Sequence, residues 1–317
     1  MSSSIVITMG DPAGIGPEVL ARFLADRGHG DGLVLVGVPW ALAEGAEIAG
    51  VSLPDVRVQD VGLGRPAGFT LGEVSAHAGE IAVRSVEAAA QMCLSGEVAA
   101  MVTCPINKAA IHAAGYVDDI GHQEILARLT GSSWTATMLM TPGLKVAHLS
   151  THKSLIEAAR YVTRANVLGK LELLNDTLRR WGLSEPRIAV AALNPHGGEG
   201  GLLGREELDE IAPAVSDARR QGIDAAGPIP ADSVFYRAID GEFDVVLALY
   251  HDQGHIAIKV HDFHRSTTAT LGIPIVRTSV DHGTAFDIAG RGKADARGLA
   301  AAVDAAEAIV AGKLSGL

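Results

Sequence analysis

Cysteine is scarce: Cys93 and Cys104 are the only two among 317 residues. Two thiols cannot build the disulfide framework of a small secreted domain, and their spacing matches no metal-ligand pair. Both are therefore expected to be reduced and structural. Basic clusters are missing as well. Lys and Arg number 26 against 37 Asp and Glu, for a formal net charge of −11, and the pI is near 5.5. Without a cationic stripe to follow phosphates, a nucleic-acid partner is not expected. No cationic segment precedes the short apolar stretch in MSSSIVITMGDPAG, and Asp11 interrupts it well before signal-peptide or membrane-span length. A cytoplasmic location with no membrane partner is the expectation. The sequence also has no internal repeat, low-complexity tract or long Pro/Gly linker.

What is present is hydrophobic and periodic. At 48% hydrophobic residues, a chain of this length can bury a large core and ordinarily divides into two domains. Short β-branched runs alternate with longer alanine-rich, helix-period segments: SIVITM then PEVLARFLAD, GLVLVG then ALAEGAEIAG, AAMVTC then INKAAIHAAG. The second half continues the rhythm with LKVAHLST, SLIEAARYV, RIAVAALN, EELDEIAPAVSDARRQG, DVVLALY and TLGIPIVRTS. The fold class is α/β. Uninterrupted apolar strands suit a mostly parallel sheet covered by helices on both faces. With no linker between them, two domains would be built from interleaved segments.

Three of the apolar runs end abruptly in polar residues. LKVAHLSTH runs out at His152, RIAVAALNPH at His196 and DVVLALYH at His251. In open α/β sheets, ligands bind at the carboxyl ends of strands, where side chains emerge into a crevice. Three imidazoles at such an edge point to a divalent metal site. Each alone reads more readily as a capping or hydrogen-bonded loop residue than as a ligand, and it is the repetition at three strand ends that favours a metal; His148, in the same run as His152, is an alternative ligand. Two further stretches stand out. MGDPAGIGPEV, residues 9 to 19, is a glycine- and proline-rich strand-to-helix turn that does not have the G-x-G-x-x-G dinucleotide spacing; Pro17 at the first helical position explains it as a plain turn. DHGTAFDIAGRGKADA, residues 281 to 296, offers Asp281, His282, Thr284 and Asp287 to a nucleotide, or forms an Asx-rich turn.

TMGDPAGIGPEV, TCPINK, GHQEILA, LNPHGGEGGLLGREE, GPIPADSVF, YHDQGHIAIK and TLGIPIVRTSVDHGTAFDIAGRGKAD follow one another along nearly the whole chain. This ordered set resembles the signature segments of the 4-hydroxythreonine-4-phosphate dehydrogenase (PdxA-type) family. GIGPEV and HGTAFDIAG are also similar to segments of isopropylmalate and isocitrate dehydrogenases, which bind NAD without a Rossmann fold. The resemblance implies two α/β domains with the active site in the cleft between them. We expect 1–125 with 285–317 as the first domain and 126–284 as the second, carrying metal and substrate groups. It further implies an enzyme that oxidises a secondary alcohol β to a carboxylate with NAD (NADP being the alternative) and a divalent ion (Zn, Co, Ni, Mn or Mg), then decarboxylates the product.

Carried over position by position, the resemblance implies His152, His196 and His251 as metal ligands. Substrate contacts fall on His122, Gln123, Lys259, Thr268 and Arg277, several of them donors suited to a small anionic hydroxy acid. The loop Asp281, His282, Gly283, Thr284 and Asp287 would hold the cofactor. Lys108 or Lys259 would neutralise charge or move a proton, and Asp232 would act as base or orient a ligand; the sequence leaves these roles open. The family's site forms between the subunits of a homodimer, with one metal ligand from the partner. Two positions depart from the pattern: the usual G-H-T-E reads Gln123 at its third place, and the Asn shortly before T-L-G is Thr268. Both alter hydrogen bonding at the anion end, so weak use of 4-phosphohydroxythreonine and better use of a related acid are expected. STHKSL and YHDQGHIAIK lean toward the branch acting on 4-phospho-threonate or erythronate. The alternatives are a terephthalate-type cis-dihydrodiol dehydrogenase and, of another class, a non-catalytic metal- or nucleotide-binding homologue. The last would be expected to show a broken histidine or HGTA loop, and neither is broken.

Overall fold

The computed structural model describes residues 4–119 and 121–314. The chain divides into two compact units, 1–135 with 273–310 and 136–272 with 311–317. In chain order the first unit opens with β1 (Ile5–Thr8), α1 (Gly16–Arg27), β2 (Leu33–Gly37), α2 (Pro39–Ala49), β3 (Arg57–Asp60), α3 (Ala76–Leu94), β4 (Ala100–Thr103), α4 (Lys108–Ala113) and α5 (His122–Thr130). The second unit contributes β5 (Ala136–Thr141), β6 (Leu144–His148), α6 (Leu155–Tyr161), α7 (Arg164–Arg180), β7 (Ile188–Ala191), α8 (Ala212–Arg220), β8 (Ala225–Ile229), α9 (Ala231–Ile239), β9 (Val245–Ala248), α10 (His251–His261) and β10 (Thr267–Leu271). The chain then returns to the first unit with β11 (Val276–Val280) and α11 (Arg297–Val310).

In the first unit the strands run β3-β2-β1-β4-β11, every neighbouring pair parallel. Alternate residues serve two cores. Ile5, Ile7, Leu35 and Val102 pack with Val19 and Leu24 of α1 and with Leu299 and Val303 of α11. On the opposite face Val6, Val34 and Met101 meet Val86 of α3 and Ile125 of α5. A strand buried on both sides has no polar face, which is why these runs read as unbroken apolar stretches. The second unit runs β10-β5-β6-β9-β7-β8. β10, β5 and β6 are antiparallel neighbours, while β6, β9, β7 and β8 are parallel. Val234 and Ala238 of α9 and Ile258 of α10 cover Val146, Val246 and Ala189. The expected mostly parallel α/β architecture holds, with antiparallel pairing confined to β10, β5 and β6. Among the described residues no helix is long and apolar enough to cross a membrane.

Candidate active site

β6, β9 and β7 are consecutive parallel neighbours, so their carboxyl ends share one edge of the second unit's sheet. His148 is the last residue of β6, His152 lies in the bend that follows, His196 lies in the turn after β7, and His251 opens α10 just past β9. The strand-end placement expected for the three histidines is what the fold provides. Convergence is a separate matter: among the described residues no group of three His, Cys, Asp or Glu side chains is arranged to hold a metal ion within one chain.

The ring chemistry nevertheless suits ligation. His251 Nδ1 lies 2.7 Å from Asp252 Oδ1, and His196 Nδ1 lies 2.9 Å from Glu199 Oε1. A neutral imidazole that donates Nδ1–H to a carboxylate keeps its lone pair on Nε2, the arrangement by which carboxylates orient metal-binding histidines. His152 is exposed, in the bend before the Ser154 and Glu157 capping box of α6. His196 sits in an unusual backbone. Residues 196 to 200 all adopt left-handed angles, including the non-glycine His196 (φ 54°) and Glu199 (φ 47°). Each of those two costs about 1–2 kcal/mol against right-handed geometry, an expense characteristic of functional turns.

His148, the alternative ligand, is enclosed where the other three histidines are not. It is buried, and its Nε2 lies 3.2 Å from His255 Nδ1. Burial first, then the neighbouring His255 and His251, push its pKa down to about 3. Gly254 makes this packing feasible, since a Cβ there would stand 2.3 Å from His148 Nε2. His255 in turn stacks on His251 with ring centroids 3.6 Å apart and planes 9° from parallel, and its Nδ1 lies 3.0 Å from the His251 carbonyl. Gln253 explains another part of this polar strand end. Its Oε1 accepts from Leu249 N at 2.7 Å and its Nε2 donates to Ala192 O at 2.8 Å, clasping the ends of β9 and β7 together. Asp232, exposed in the first turn of α9, lines a cavity of about 700 Å³ with Tyr250, Asp252, Gln253, Phe235 and Ile256. Lys259 holds its Nζ 5.1 Å from the Phe263 ring, and Thr268 lies mid-strand in β10 opposite Leu139.

In the first unit, His122 opens α5 and Arg277 lies in β11. His122 Nε2 is sealed from solvent without a hydrogen-bond partner. Burial, then the Arg277 guanidinium, hold the ring well below the usual histidine range. Arg277 is 7% exposed, and burial pushes it down to about 9. Its Nη2 and Nε donate to Thr103 Oγ1 at 2.6 and 3.2 Å. A buried cation beside an unsatisfied imidazole is what an anionic ligand would complete. Gln123 donates through Nε2 to Thr135 Oγ1 at 2.6 Å. Lys108 is exposed, directly after the Asn107 cap of α4.

The two loops singled out in the sequence meet here: Ile15 N donates to Thr284 O at 3.0 Å, tying GDPAGIG to HGTA. Asp281 is half-buried, His282 and Gly283 are exposed, and His282 Nδ1 lies 3.0 Å from Gly283 O. Thr284 is buried, Ala285 takes a left-handed φ of 45°, and Asp287 faces solvent. Sequence reasoning missed His255, Asp252, Glu199 and Glu207. His255 had a signal in HDQGH, where histidines at i and i+4 share one helix face; Glu207 had none.

The second unit thus pairs imidazoles with carboxylates at one sheet edge, and the first unit buries a guanidinium beside an imidazole; its relatives place the chain among the dehydrogenases. Residues 38–306 match the family model described as pyridoxal phosphate biosynthetic protein PdxA, and the chain belongs to that family. A Cupriavidus necator protein named D-threonate 4-phosphate dehydrogenase is 44% identical over 313 residues, covering 93% of each chain. A Geobacter metallireducens protein named 4-hydroxythreonine-4-phosphate dehydrogenase is 41% identical over 316 residues, covering 94% of this chain and 93% of that one. The crystal structure of 4-hydroxythreonine-4-phosphate dehydrogenase from Klebsiella pneumoniae superimposes with a TM-score of 0.89 at 40% identity, covering 97% of this chain and 99% of that one.

Proposed function

We propose that this chain is an NAD-dependent, divalent-metal-dependent oxidative decarboxylase of a phosphorylated 3-hydroxy acid of the 4-phospho-threonate type, working as a homodimer. The observation that carries the reading is the buried Arg277 beside the unsatisfied His122 ring. Buried groups of this kind favour an oxyanion over a neutral alcohol, because an anion offsets the cost of keeping the guanidinium charged away from water and can accept from the His122 ring.

In this reading Arg277 and His122 grip the anionic end of the substrate, and Lys259 neutralises further charge. Gln123 and Thr268 set which acid fits. His152, His196 and His251 would hold the divalent ion, which when bound supplies Lewis acidity to the reacting oxygens. Asp281, His282, Gly283, Thr284 and Asp287 would hold NAD, the hydride acceptor. Overall, the C3 hydride passes to NAD and the hydroxyl proton to a base, with Asp232, Lys108 and Lys259 as the candidates. The bond to the carboxylate then breaks to release CO2, and the carbon left behind takes up a proton. Relatives named for D-threonate 4-phosphate and for 4-hydroxythreonine-4-phosphate both support this reaction class.

A homodimer accounts for one feature. α10, which begins at His251, exposes Ile256 (60%) and Val260 (81%), followed by Phe263 (65%). An apolar stripe of this kind beside a site is the mark of a protein interface. The test is NADH formation with 4-phospho-threonate, 4-phosphoerythronate, 4-phosphohydroxythreonine and carboxylated aromatic cis-dihydrodiols, each with and without divalent ions. Metal-dependent turnover best on a phosphorylated threonate or erythronate is expected. No NADH from any of them, or a dihydrodiol as best substrate, would overturn the reading.

A further inference from the structure

The left-handed turn that carries His196 runs against the right-handed preference of L-residues at His196 and Glu199, so contacts from outside the turn help to hold it. Glu207 supplies such contacts. It is 2% exposed, at the first position of a π-helical turn (Glu207–Ile211). Its Oε1 accepts from Leu193 N at 2.8 Å and Asn194 N at 2.7 Å, and its Oε2 accepts from Asn194 Nδ2 at 2.9 Å. These donors immediately precede Pro195 and His196. The same Asn194 Nδ2 lies 2.7 Å from Glu206 Oε2, and Gly198, inside the turn, passes so close that a Cβ would lie 2.8 Å from Glu207 Oε2.

We infer that Glu207 is a positioning residue for the divalent-ion site: its carboxylate locks residues 193–194 and so fixes where the His196 ring is presented. The inference rests on the proposed role of His196 as a ligand. It differs from a purely structural role, because a carboxylate that only capped the chain would alter stability and leave ion affinity alone. Groups that orient a metal ligand through hydrogen bonds typically govern affinity by about 10- to 100-fold. π-turns commonly occur at functional sites, where the extra residue redirects a side chain.

Glu207→Gln is the discriminating substitution. It keeps the volume and one acceptor oxygen for the two backbone N–H groups, and it turns an amide NH2 toward the Asn194 amide donor. Asn194→Ala is the second, removing the side-chain contact from the opposite side while leaving the backbone bonds. The purified full-length protein, stripped of metal, would be titrated with Co2+ and with Zn2+ in chelator competition. Circular dichroism and the thermal midpoint would be recorded, with the visible spectrum of the Co2+-loaded form. A folded Glu207→Gln protein should bind about 10- to 100-fold more weakly with an altered Co2+ spectrum, and Asn194→Ala should fall between it and wild type. If Glu207→Gln fails to fold, weakened binding by folded Asn194→Ala supports the inference and wild-type affinity overturns it. Wild-type affinity and spectrum in both variants sink this inference alone. A wild-type protein that binds neither ion sinks the reading of His196 as a ligand, and this inference with it.

Discussion

Asp11 shows how strongly a single position can be tuned by enclosure. Its side chain is fully buried, Oδ1 accepts from Ala13 N at 2.8 Å, and Oδ2 has no partner. Burial, only partly offset by that hydrogen bond, raises its pKa from 3.8 to about 6. A raised pKa means that the folded protein favours the protonated form. The stabilising contribution is therefore fully present below pH 3.8 and is lost as pH rises through about 6, a span worth on the order of 3 kcal/mol. Asp11→Asn, which cannot ionise, should gain stability over wild type as pH rises from 5 to 8. Urea midpoints of the two proteins across that range test this, and a constant difference would refute it. In the proposed reading, Gln123 and Thr268 set selectivity at the same scale. Gln123→Thr with Thr268→Asn should raise kcat/KM for 4-phosphohydroxythreonine relative to the preferred substrate by about 10-fold, the worth of one recovered hydrogen bond of ~1.4 kcal/mol. Wild-type protein that already prefers 4-phosphohydroxythreonine would contradict it.

At the scale of elements, α10 is held at its start by a stack of imidazoles whose packing depends on Gly254. Glycine in a helix interior ordinarily costs up to about 1 kcal/mol relative to alanine, so Gly254→Ala would stabilise an isolated helix. Here the new methyl meets a buried ring at 2.3 Å and Val146 Cγ1 at 2.8 Å, and overpacking of that kind costs about 1–3 kcal/mol. The clash should win. Gly254→Ala is expected to unfold at lower denaturant, and His148→Ala in the same chain should recover part of the loss in a double-mutant cycle. Strict additivity would show that the ring and the glycine are uncoupled. The same scale explains what the sequence could reveal. β1, β2, β4, β7 and β9 are legible because burial on both faces leaves them almost entirely apolar. β3, reading RVQD, is not, because it is largely exposed and owes its conformation to pairing with β2. The histidine edge could be read from strands that stop at polar residues. Glu207 could not, because its importance lies in hydrogen bonds to a turn 13 and 14 residues earlier.

For the whole molecule, the proposed sharing of the site across subunits makes a sharp demand. His152→Ala and His251→Ala homodimers should each be inactive. In an exchanged equimolar mixture, half the dimers are hybrids with one intact site of two, so activity should return to about a quarter of wild type. A mixture that stays inactive while exchange is demonstrated by a labelled subunit would show that His152 and His251 of one site come from the same chain. The discontinuity of the first unit has a further consequence, in the order of synthesis. β4 lies between β1 and β11, with Met101 opposite Arg277. On the ribosome, β4 therefore emerges with one flank bare and waits while the entire segment 136–272 is made. That segment is continuous and can collapse as soon as it is clear of the exit tunnel, whereas the first unit cannot close its sheet, or bury Arg277 beside Thr103, until the final portion of the chain arrives. The buried Arg277–Thr103 contact is thus among the last features to form, and a nascent chain halted before residue 276 would carry the histidine edge but not Arg277.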